Sequence, residues 1–108
     1  MRTVNKDGKG IKILELSTFG SIIKRGREHL GISLEKASQQ LNISPSYLSD
    51  FENERARKIK MDFLYQCAEF YGLNVDELCI SANKIPKDIY FKVLEHPHLF
   101  EKIREIKP

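Results

Sequence analysis

The stretch from Ser33 to Asn53, SLEKASQQLNISPSYLSDFEN, restricts the fold more than any other part of the chain, because it is punctuated as two short helices joined by a tight turn. Ser33 is an N-cap residue type, with a side-chain oxygen able to accept a backbone N–H of the first turn. Leu34, Ala37, Ser38 and Leu41 recur at spacings of three and four, so they share one face of the helix that follows. Asn42 ends that helix, since Asn tolerates left-handed backbone better than other residues bearing a side chain. Ile43 anchors the turn. Ser44 as a cap and Pro45 in the first turn then open a second helix. Its Leu48 and Phe51 are expected to point inward, and Ser46, Tyr47, Ser49 and Asp50 outward. The small side chain of Ser38 leaves room for the two helices to cross closely.

The remaining chain repeats the helical period. The spacing predicts a first helix over about Thr18 to Leu30, with an apolar stripe of Phe19, Ile22, Ile23 and Leu30, ended by Gly31. After the paired helices, Met61 to Tyr71 carries Phe63, Leu64, Cys67, Ala68 and Tyr71 on one stripe and stops at Gly72. Asn74 caps a fifth helix in which Val75 and Leu78 close the bundle. An all-α, five-helix domain over residues 17–80 is therefore expected. Residues 1–16 form an arm, polar and Gly-containing at first and then more apolar at Ile11, Ile13, Leu14 and Leu16. Arg2, Lys6, Lys9 and Lys12 give it charge that would suit a minor groove, although a frayed terminus is the simpler expectation.

Residues 81–108 form a C-terminal helical extension of two short helices. Pro86 opens one with Ile89, Tyr90, Phe91, Val93 and Leu94, and Pro97 opens the other with Leu99, Phe100, Ile103 and Ile106. So many large apolar groups need a surface to cover them. Three are open: the chain's own domain, a second copy in a dimer, or a separate regulatory protein.

The ordered caps and turn resemble the helix-turn-helix of the Cro and lambda-repressor class, also called the xenobiotic response element family. The likeness runs from about Phe19 to Leu78 and includes Phe19, Gly20, Ile23, Lys24 and Arg27, the Ser44-to-Glu52 run, and Gly72, Leu73, Val75, Asp76, Glu77 and Leu78. It implies a lambda-repressor-like fold whose helix after Ser44 enters the major groove of double-stranded DNA. Pro45, Ser46, Ser49 and Asp50 would then face base edges. Phosphate contacts would come from Lys24, Ser33, Ser44, Tyr47, Asn53, Arg55, Arg57 and Lys58. Three positions depart from the family pattern. Pro45 and Asp50 stand where basic or amide side chains usually read bases, and Leu34 replaces a glutamine that often opens the preceding helix. All three changes remove hydrogen-bond donors. The serines can still donate or accept, Asp50 can accept from a cytosine amino group, and the Pro45 ring can touch a thymine methyl. Gly26 is a further departure, since the family usually places a larger apolar residue there.

Charge bears on the same question. The net charge of +3 is a modest attraction for nucleic acid, but between Ser17 and Cys79 eight Lys or Arg meet nine Asp or Glu, so the distribution matters more than the sum. The cations cluster as Lys24, Arg25 and Arg27 in the first helix and as Arg55, Arg57, Lys58 and Lys60 after the second of the paired helices. One basic face could thus meet phosphates.

Other function classes find little support. No HExxH, Gly-rich phosphate loop, serine elbow or usefully spaced Cys-His pair occurs, so an enzyme is not expected. His96-Pro97-His98 reads as a turn rather than a metal site, and no cofactor is expected. Cys67 and Cys79 match no common zinc spacing and read as buried, reduced, small hydrophobes. No apolar run reaches bilayer length, and residues 1–10 lack the apolar region of a secretion signal, so no membrane role and a cytoplasmic location are expected. The resulting expectation is a repressor acting as a homodimer. Its alternatives are an antitoxin whose extension binds a toxin, or a helical interaction adaptor that kept the fold and lost DNA affinity.

Overall fold

The computed structural model of the chain describes residues 18–56 and 58–108. The arm expected over residues 1–16 and the phosphate contact expected at Arg57 lie outside the described residues. Seven helices and no strand occur among those residues: α1 (Phe19–Leu30), α2 (Leu34–Leu41), α3 (Pro45–Glu52), α4 (Met61–Tyr71), α5 (Val75–Ser81), α6 (Lys87–Glu95) and α7 (Leu99–Arg104).

The caps explain the boundaries. Thr18 accepts the N–H of Ser21, whose hydroxyl reaches back to the Thr18 backbone, which closes a reciprocal capping box. Ser33, Ser44 and Asn74 accept N–H groups in the same way at the starts of α2, α3 and α5. Gly31 and Gly72 end α1 and α4 in the left-handed region, both at φ 68°. Asn42 does so between α2 and α3 at φ 58°, where its N–H donates to Gln39 O at 3.1 Å and that of Ile43 to Ser38 O at 3.0 Å. Orphan carbonyls of α2 are thereby satisfied, and the next helix is turned across it. Ser38 is buried at the crossing, its hydroxyl donating to Glu35 O at 2.8 Å.

α1 packs on α3, α4 and α5, while α2 packs on α3 and α4. Ile23, Leu41, Leu48, Leu64 and Leu78 are fully buried at the centre, joined by Phe19, Ala37, Phe51, Ala68, Tyr71 and both cysteines. Each large aliphatic group contributes about 1.5–3 kcal/mol by leaving water. Burial also pushes the Cys67 thiol up to about 12 and raises that of Cys79, so neither is a thiolate near neutrality.

One expectation for α1 is corrected. Leu30, the last residue before the Gly31 cap, is 45% exposed and stands outside the core. Gly26 is buried, and a Cβ there would stand 3.1 Å from both Cβ and Cγ of Tyr71. The volume that a larger side chain would supply from α1 comes instead from the Tyr71 ring on α4.

The extension stands apart from this core. Neither α6 nor α7 contributes a buried residue. The root of α6 is nevertheless attached, since the Lys87 N–H donates to the Tyr65 hydroxyl at 2.8 Å and Lys87 Nζ lies 3.3 Å from Asp62. The helix after Pro97 is shorter than its apolar pattern predicts, ending at Arg104 and leaving Ile106 beyond it.

Candidate functional site

α3 is the element that the sequence singles out, and its outer surface is open. Ser44 accepts the Tyr47 N–H at 3.1 Å, which fixes the first turn, and its hydroxyl lies 3.4 Å from that of Ser46. Pro45 and Ser46 are exposed and Ser49 and Asp50 half-buried, so the four residues expected to face bases lie together along one accessible flank. Tyr47 is partly exposed and packs edge-on to Phe51 with ring centroids 4.8 Å apart. Ser33 repeats the arrangement at the start of α2, accepting the Lys36 N–H at 3.0 Å. The two capped N-termini both present backbone N–H groups and a hydroxyl, which suits an anion.

The angle of α3 is set by an ion pair that the sequence reading missed. Arg27 donates from Nε to Glu52 Oε2 at 2.7 Å and from an Nη to Oε1 at 3.0 Å, with a third donation to Ile32 O at 3.1 Å. The side chains of Arg27 and Glu52 are only 15% and 3% exposed. The hydrogen bond to Glu52, opposed by the cost of burial, raises the Arg27 pKa above its ordinary value. Arg27 is thereby withdrawn from the basic cluster expected on α1, where Lys24 and Arg25 remain exposed. A signal for the pair was present: Arg27 follows Ile23, and Glu52 follows Leu48, by four residues, which puts two charges on inward faces.

At its C-terminal end α3 is closed by a tight loop. Asn53 Nδ2 donates to Ser49 O at 2.8 Å and lies 3.2 Å from Ser49 Oγ, so its donors turn inward to the helix end. Glu54 adopts a left-handed conformation at φ 62°, and its carboxylate accepts the Thr18 hydroxyl. Gly20 lets this loop approach α1, since a Cβ there would collide with Phe51 O and the Glu54 carboxylate. Arg55 then folds back along α3, with Nε donating to Asp50 Oδ1 at 3.2 Å and an Nη 3.5 Å from Ser49 Oγ. It was expected on phosphates, yet it lies across two of the residues expected to face bases. Lys58 is exposed beyond the loop.

Capped helices at residues 33 and 44 joined by a left-handed Asn42 are the geometry of a helix-turn-helix, and the sequence model of the family described as helix-turn-helix matches residues 23–78, just over half of the chain. The chain belongs to this helix-turn-helix family. It is of the Cro and lambda-repressor type, an all-helical fold that serves DNA-binding transcriptional regulation. No curated protein and no solved structure matches the chain. In this helix-turn-helix protein α6 and α7 lie beyond the matched residues. Among the described residues no three or more His, Cys, Asp or Glu are grouped to hold a metal, and no helix is long and apolar enough to cross a membrane.

Proposed function

We propose that this helix-turn-helix protein is a sequence-specific transcriptional repressor of the cytoplasm that binds double-stranded DNA as a homodimer, with α3 in the major groove. The observation that carries the reading is the exposed flank of α3, whose own N-terminus is capped by Ser44, together with the capped N-terminus of α2 at Ser33. Pro45, Ser46 and Ser49 face base edges in this arrangement. Ser33 and Ser44 hold phosphates with their hydroxyls and helix N-termini, assisted by Tyr47, Lys24, Lys58 and Arg57, whereas the Asn53 amide is spent on Ser49. The dimer follows from the small footprint of one recognition helix, which calls for two half-sites about 34–36 Å apart on one side of the duplex. The exposed apolar faces of α6 and α7 support a protein partner in that role.

The test is a titration of the protein with random and selected duplexes over a range of salt. A repressor of this kind gives a complex whose log affinity falls linearly with log salt, by about 0.9 for each phosphate neutralised. Selected sites are expected to be two-fold symmetric. No complex with any duplex in dilute salt would exclude the reading and leave an adaptor role.

A further inference from the structure

We propose that Arg55 is a base-reading residue of this interface, recognising a guanine, and that Asp50 is its positioning residue. The inference rests on the DNA-binding reading and deepens it. The flank of α3 is poor in donors: Pro45 has none, and Ser46 and Ser49 carry single hydroxyls. The structure supplies a donor from outside the helix. Arg55 reaches back five residues so that its Nε–H meets Asp50 Oδ1 at 3.2 Å while one Nη lies 3.5 Å from Ser49 Oγ.

This grip engages the Nε side of the guanidinium and leaves the end bearing Nη1 and Nη2 with its remaining hydrogens. That end is a planar two-pronged donor, which fits the adjacent O6 and N7 acceptors of guanine in the major groove. Side-chain exposures of 61% for Arg55 and 45% for Asp50 mean that the pair adds little to stability. Its consequence is orientation, because a long side chain held in place before binding loses less freedom on meeting a base. The carboxylate also selects what the guanidinium can meet. A phosphate approaching Arg55 would be brought towards Asp50 and repelled, whereas the guanine edge is uncharged and offers only acceptors there. Asp50, unfavourable beside DNA as an isolated anion, becomes neutralised and useful as a brace.

Binding-site selection followed by affinity measurements on the selected duplex, with wild type, Arg55→Ala, Arg55→Lys, Asp50→Ala and Asp50→Asn, tests the assignment. Wild type should select guanine at one position of each half-site. Arg55→Ala and Asp50→Ala should both relax that same position, lowering discrimination against other bases by about 5- to 150-fold. Arg55→Lys should relax it while keeping the salt dependence, and Asp50→Asn should fall between Asp50→Ala and wild type. Thermal melts should match throughout, since both residues lie at the surface. An unchanged motif in Arg55→Ala, with all sequences weakened alike, would make Arg55 a phosphate contact and overturn the proposal. So would a position relaxed by Asp50→Ala but kept by Arg55→Ala, which would mean that Asp50 reads a base itself. A wild-type protein without any salt-sensitive complex would instead remove the DNA-binding reading beneath it.

Discussion

Arg27 and Glu52 illustrate how a charged pair inside a small core constrains a surface far more than it stabilises the fold. Burying two charges costs several kcal/mol that their attraction and hydrogen bonds roughly return, so the intact pair adds little net stability. Losing one partner is different. Glu52→Ala should lower unfolding stability by about 3–5 kcal/mol in chemical denaturation, because Arg27 is left with a buried charge. Arg27→Met with Glu52→Leu should recover much of that loss, whereas a double variant as unstable as Glu52→Ala would show that the pair is not the cause. Tyr71 presents the converse case. Its hydroxyl is buried without a hydrogen-bond partner among the described residues, so Tyr71→Phe should leave the melting temperature equal or higher, by the equivalent of about 1 kcal/mol. A marked loss in that variant would reveal a partner for the hydroxyl.

Among the elements, the paired helices were legible because each boundary carries a local chemical signal. Ser33, Asn42, Ser44 and Pro45 act through their own backbone or the next turn, and they did so where expected. Asn42→Ala should therefore cost about 1 kcal/mol, the penalty of a left-handed residue with a plain Cβ, while Asn42→Gly should be tolerated. Equal melts for Asn42→Ala and wild type would contradict that account. What was not legible depends on contacts distant in sequence. Gly26 gains its meaning only from Tyr71, the inward turn of Arg27 only from Glu52, and the placement of Arg55 only from the loop through Glu54. The exposure of Leu30 at the end of α1 is likewise something that helical period alone does not report.

At the scale of the whole molecule, the core of α1–α5 and the extension differ in burial, since neither α6 nor α7 holds a buried residue. In the extension Ile89, Tyr90, Phe91, Leu94, Phe100 and Ile103 all remain exposed. Phe91→Lys with Leu94→Lys should leave the thermal midpoint nearly unchanged, since neither side chain is buried, yet move the sedimentation coefficient from dimer to monomer. Unchanged sedimentation would mean that this face of α6 does not join two copies of the chain.

The bond from the Lys87 N–H to the Tyr65 hydroxyl gives that extension a fixed footing on α4. If two subunits meet through α6 and α7, the short run from Ala82 to Pro86 acts as a ruler, setting how far apart and at what pitch the two reading helices sit. An added residue in that run would alter the phasing of the operator halves while each half kept its base preferences.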